Sequence, residues 1–149
     1  MRQGFGRSEF LIISIVIGVV IIGFWLWNPK ERARETRDAQ RIADLTKVKQ
    51  VIALYIATAQ KPDLDAQGAC ERVYSNGIAA VDGTGWIPVN FTSIPGGSPL
   101  AALPLDPLNS GDYVYAYQCD EGDATFFKLR ATMESKRYSK IYEVGTTIY

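Results

Sequence analysis

The sequence predicts an α+β protein in which a long amino-terminal helical stretch, transmembrane then amphipathic, packs on a small antiparallel sheet. Three observations predict it. Residues 10–27 carry no charge, residues 42–59 place apolar side chains at three- and four-residue steps, and residues 113–144 hold three short strand-like runs.

The apolar run from Phe10 to Trp27 is eighteen residues long. As a helix rising about 1.5 Å per residue it covers roughly 27 Å, against a hydrocarbon core of about 30 Å. A secretory signal peptide is the competing reading, but no small-x-small cleavage site follows in "GFWLWNPKERARE". Trp25 and Trp27 close the run where amphipathic rings favour a membrane interface. The run is therefore read as a retained single-pass anchor over residues 5–27.

Asn28, Pro29 and Glu31 then spell a helix start: a capping side chain, a proline suited to the first helical position and a capping-box acid. Pro29 either restarts a helix or kinks one continuous helix. Over 28–60, Ile42, Leu45, Val48, Ile52, Tyr55, Ile56 and Ala59 form an apolar stripe, with Arg41, Asp44, Lys47 and Lys49 assigned to the opposite face. Pro62 disfavours further helix.

Residues 61–149 read as a loop region followed by the sheet. Gly, Pro, Asn, Asp and Ser dominate up to Asn109, interrupted by "GIAAV" and "GWIPVNF". "YVYAYQ" alternates tyrosines with smaller residues at period two, "TFFKLRAT" is a second strand across the "CDEGD" turn, and "YSKIYEV" is a third.

Composition excludes several classes. The chain has no histidine and a formal net charge of zero, and it shows no nucleophile elbow or phosphate-binding glycine loop, so no enzyme is predicted. Bases after the span alternate with Glu31, Glu35, Asp38 and Asp44, which describes a solvated helix face rather than a nucleic-acid surface. The cysteines, Cys70 and Cys119, lack metal or redox spacing and read as one disulfide, two separate buried thiols being the alternative. A disulfide places the body outside the cytoplasm. Counting Lys30, Arg32, Arg34 and Arg37 after the span points the other way.

"GFGRSEFLIISIVIGVVIIG" resembles the amino terminus of type IV pilins and type II secretion pseudopilins, with Gly4, Phe5 and Glu9 at the three motif positions and Gly6, Arg7 and Ser8 between them. "RDAQRIADLTKVKQVIALY" is similar to the pseudopilin amphipathic helix, and "LPLDPLNSGDYVYAYQ" to the segment preceding the sheet in major pseudopilins. The matches cover about half the chain, in the family's order. The resemblance implies a pilin-like fold, a leader of residues 1–4, and cleavage between Gly4 and Phe5 by a prepilin peptidase. It also implies N-methylation of the new Phe5 amine and pairing of that amine with Glu9 of a neighbouring subunit. A carboxylate drawn into hydrocarbon costs a few kcal/mol, so it needs such a partner. Local pairing of Glu9 with Arg7, or a place at the headgroups, is the simpler alternative. Ser14 and Gly18 are small residues on one helix face, suited to close helix packing or unremarkable in any span.

The partners implied are the chain itself or related pilins in a filament, the peptidase, an inner-membrane assembly platform and lipid. The localisation implied is the inner membrane, with the body extracytoplasmic. The family also holds calcium in carboxy-terminal loops, which makes Asp106, Asp112, Asp120, Glu121 and Asp123 weak candidates, Asp112, Asp120 and Asp123 foremost. No ligand loop of recognisable spacing contains them, and acids in turns are usually solvated. The alternative function is a signal-anchored extracytoplasmic binding module, neither cleaved nor polymerised.

Overall fold

The computed structural model describes residues 6–26, 28–65, 70, 73–75, 77–120 and 123–146; of 24–26, 73, 123 and 124 it describes the backbone only. The chain divides into two compact units, Met1–Ala33 and Arg34–Tyr149.

Helix α1 spans Arg7–Leu26. Gly6 precedes it as the cap, its carbonyl accepting from the Glu9 and Phe10 N–H groups at 3.0 and 3.3 Å. Helix α2 spans Pro29–Thr58. Asn28 Oδ1 accepts from the Glu31 N–H at 3.3 Å and the Asn28 carbonyl from the Arg32 N–H at 3.2 Å, so the cap read from the sequence forms. Helix α2 thus begins at Pro29 behind a formed cap.

The second unit carries a four-stranded antiparallel sheet in the order β1 (Val73–Tyr74), β2 (Ala116–Asp120), β3 (Asp123–Thr132) and β4 (Ile141–Gly145). Register places Tyr117 opposite Leu129 and Leu129 opposite Val144. Period two then sends Phe127, Leu129 and Ala131 to one face, where they are buried, and leaves Phe126, Lys128 and Arg130 half-buried on the other. The inner face joins Leu45, Val48, Ile52 and Tyr55 of α2 in one apolar cluster.

Two sequence expectations are corrected. The strand read over "YVYAYQ" begins only at Ala116, because Ser110 and Tyr113 pair in a bridge around Gly111, whose φ of 57° turns the chain out of the ladder. Tyr115 is nonetheless fully buried, and its hydroxyl donates to Asp44 at 2.9 Å. The second correction concerns Arg41. It lies on the buried face of α2, not the solvent face, and is 0% exposed, as is Asp38, which the sequence likewise placed on a solvated face.

The loop region supplies more of the core than its turn residues suggest. Trp86, Ile87, Val89 and Phe91 from the "GWIPVNF" stretch are buried. Trp86 donates through Nε1 to the Pro104 carbonyl at 3.1 Å, and Phe91 meets Tyr55 edge-on with ring centroids 6.2 Å apart. Asn90 opens a short 3-10 turn over Phe91–Ser93 by accepting from the Thr92 N–H.

Candidate functional site

Helix α1 is the first candidate surface. Phe10, Leu11, Ile12, Ile15, Val19 and Ile22 are each at least 60% exposed, and Val16, Ile17, Val20 and Ile21 are more than half exposed. Positions 10–22 cover every direction around a helix, so no polar face exists. Among the described residues, no helix is long and apolar enough to cross a membrane. Trp25 and Trp27 fall outside the described side chains.

Glu9 is exposed and its Oε2 accepts from the Gly6 N–H at 3.0 Å. This is the acid half of a capping box: the third helical residue reaches back to the amide before the helix. Gly6, Arg7 and Ser8 thus have a local role, as the turn Glu9 closes. The Ser14 hydroxyl donates to the Phe10 carbonyl at 2.8 Å, within its own helix, while space around Gly18 is open. Gly4 and Phe5 lie outside the described residues.

A second set of residues escaped the sequence reading. Arg41 donates from Nε and Nη2 to the two carboxylate oxygens of Asp106, at 2.6 and 2.9 Å. Its Nη1 reaches Asp38 Oδ1 at 2.8 Å and Glu134 Oε1 at 2.7 Å. Arg37 grips Glu134 from outside with two further bonds. Asp38 in turn accepts from the backbone N–H groups of Glu134 and Ser135, at 3.0 and 2.8 Å. The Arg41 guanidinium also stacks 5.2 Å from the Tyr113 ring centroid.

Burial works against the Arg41 charge, but Asp106, Glu134 and Asp38 together outweigh it and hold its pKa above the ordinary value. Burial likewise pushes Asp38 up, and the bonds it accepts at Ser135, Glu134 and Arg41 leave it below the ordinary carboxylate value. Glu134 is lowered chiefly by its bond from Arg37. The cluster ties α2 to the segment before β2 and to the end of β3, three parts of the chain far apart in sequence. A signal for it was present: 41, 45, 48, 52 and 55 are one helical stripe, and Asp38 extends it by one turn.

Cys70 and Cys119 form a disulfide across 49 residues, as the sequence suggested. The calcium candidates separate. Asp106 is taken by Arg41. Asp112 lines a hollow beside Ala116, Arg130 and Thr132, whereas Asp120 stands opposite Asp123 in backbone register at the other end of β2 and β3, and Glu121 lies outside the described residues. Among the described residues, the only three ligand-type side chains gathered within 4.8 Å are Asp65, Cys70 and Cys119, and both sulfurs are in the disulfide.

That hollow, of about 650 Å³, opens on the outer face of the sheet. Cross-strand register sets Tyr74, Ala116 and Arg130 in one row, so the small Ala116 forms a floor between two long side chains. Lys140, Ile141 and Asp112 complete the rim. Among the described residues neither Arg130 nor Lys140 has an ion-pair partner, Glu143 being engaged at 3.7 Å by Lys128.

Compared with family models, curated proteins and solved structures, the chain matches none.

Proposed function

We propose that this chain is a structural subunit of a type IV pilus or type II secretion pseudopilus. In this reading it is anchored in the inner membrane, trimmed between Gly4 and Phe5 by a prepilin peptidase, and polymerised through α1 with itself or related subunits. One observation carries the reading: α1 presents apolar side chains on all sides, with a single acid, Glu9, in its first turn. Apolar surface of this kind is unfavourable in water at about 25 cal/mol per Å², so it needs lipid or neighbouring helices. A filament of such subunits exchanges the first for the second. The family resemblance of the head, the amphipathic helix and the "LPLDPLNSGDYVYAYQ" segment supports the reading, and the disulfide supports an extracytoplasmic body.

The mechanism is packing rather than turnover. Cleavage creates an ammonium on Phe5, which pairs with Glu9 of a neighbour and sets the axial register. Glu9 then exchanges its own Gly6 amide for a charged partner, a stronger hydrogen bond in a low dielectric.

Mass spectrometry of the native chain tests cleavage, and electron microscopy of the same sample tests polymerisation. A chain beginning at Phe5 together with filaments supports the reading, and Glu9→Gln is expected to abolish the filaments. A membrane-bound chain beginning at Met1, without filaments, overturns it. That result would favour the signal-anchored binding module, for which the hollow beside Tyr74 and Arg130 supplies a ligand site.

A further inference from the structure

One residue from each strand forms a row across the outer face of the sheet. Register sets Tyr74 beside Ala116, Ala116 beside Arg130 and Arg130 beside Glu143. Because Ala116 is small and buried, Tyr74 and Arg130 stand as walls over it, their strands about 10 Å apart. Thr132, two residues along β3 and so on the same face, and Lys140 and Ile141 at the start of β4 extend the hollow to about 650 Å³. Sites for small ligands run from about 300 to 1,000 Å³.

The chemistry of this hollow selects its ligand. Two cations, Arg130 and Lys140, face one acid, Asp112, which leaves the rim a single excess positive charge; Glu143, next in the row, is engaged by Lys128 at 3.7 Å. That excess matches a monoanion better than a phosphate dianion. The guanidinium of Arg130 fits a carboxylate by two parallel hydrogen bonds. Asp112, which repels an anion, accepts from hydroxyl groups, and Thr132 both donates and accepts. Tyr74, at 52% exposed, and Ile141, at 39%, offer apolar surface to the C–H face of a ring. A carboxylate, several hydroxyls and a C–H face occur together in a uronic acid. Backbone pairing argues against a peptide, since extended peptides bind sheets by hydrogen-bonding along an unpaired strand edge. The floor here lies on β2 and β3, each paired on both sides, so recognition falls to side chains.

We infer that the hollow between Tyr74 and Arg130 binds an acidic sugar, a uronic acid, free or within a glycan. Its carboxylate sits on Arg130 with Lys140 beside it, one ring face stacks on Tyr74 above Ala116, and its hydroxyls meet Asp112 and Thr132. The inference goes beyond the filament reading and does not rest on it, because one copy of the chain suffices for binding.

The test titrates full-length nitrogen-15-labelled chain in detergent micelles with sodium glucuronate and follows the amide chemical shifts. Expected is saturable binding with a dissociation constant of about 1 mM, the usual scale for so small a ligand, with the shifts centred on Tyr74, Ala116 and Arg130. Glucose, which lacks the carboxylate, and acetate, which lacks the ring, are each expected to bind about tenfold more weakly or worse. Arg130→Gln is expected to weaken glucuronate by about tenfold and Tyr74→Ala by about fivefold, with unchanged melting temperatures showing that the variants fold. Lys140→Gln alters only the exposed rim and is expected to cost about threefold, so the test does not hang on the half-buried Arg130. Trigalacturonate binding more tightly than glucuronate assigns the hollow to a residue within a glycan chain, and equal affinity assigns it to a free or terminal one. Acetate or inorganic phosphate binding as tightly as glucuronate overturns the inference in favour of a simple anion site. Displacement of glucuronate by an aspartate-rich peptide at lower concentration, or no saturable shift around the hollow up to about 20 mM, also overturns it. The filament reading stands or falls separately, on cleavage at Phe5 and on filaments.

Discussion

Arg41 and Asp106, 65 residues apart in sequence, meet fork to fork, Nε to Oδ2 at 2.6 Å and Nη2 to Oδ1 at 2.9 Å, with both side chains fully buried. Asp106 also accepts from the Leu108 and Asn109 N–H groups at 2.9 and 3.3 Å, so one carboxylate fixes both the helix and the turn leading toward β2. Buried pairs of this kind often add little net stability against an apolar replacement, but removing one partner strands the others.

Substitution of Arg41 is therefore expected to be severe. Arg41→Met leaves Asp38, Asp106 and Glu134 buried without their shared cation, and a loss of about 3–5 kcal/mol is expected in urea unfolding. Arg41→Lys is expected to recover only a minor part, because an ammonium cannot form the two parallel bonds to Asp106. A lysine variant as stable as the parent would remove the fork geometry from the explanation.

The same cluster makes stability depend on pH. Asp38 and Glu134 lie below their ordinary values of 3.8 and 4.5 in the folded chain. Their contribution is complete above those values and is lost as pH falls through the folded ones. Asp44, raised by burial despite the bond from Tyr115, acts in the opposite sense: its share is present in acid and fades as pH rises. Thermal unfolding between about pH 3 and 7 should show a melting temperature that declines below about pH 4.5. Asp44→Asn should steepen the decline, and a melting temperature that climbs on acidification would contradict the assignment.

Reduction of the Cys70–Cys119 bond releases a closed loop of 49 residues, worth about 4 kcal/mol by the chain-entropy relation. Cys70→Ser with Cys119→Ser, or the parent in reductant, should unfold at markedly lower urea. Equal midpoints with and without reductant would mean that the loop stays closed by other contacts.

Gly85 tests the packing of the loop region. A Cβ there would press into the Ala80 carbonyl oxygen and into Leu103, next to the buried Trp86. Backbone cannot yield as a flexible side chain does, so Gly85→Ala should destabilise by about 1–3 kcal/mol. Gly97→Ala, where nothing lies within 4 Å but φ is 89°, provides a contrast in which backbone strain acts without a clash.

The sequence by itself determined the features that are local. Helix caps depend on neighbours three residues away, which is why Asn28, Pro29 and Glu31 announced the start of α2. Strand runs are equally local, and β3 and β4 overlap the stretches read as the second and third strands. The cysteines allowed one disulfide or two separate thiols, and the structure shows the disulfide. Only the tertiary structure decided what the polar residues do. Arg41 reads as a surface charge until Asp106 and Glu134 arrive from 65 and 93 residues away, and Asp112 parts from Asp120 because Ala116 to Asp120 form a strand between them. The physical reason is that burial of apolar groups follows from periodicity along one element, whereas burial of a charge depends on partners that folding alone brings together.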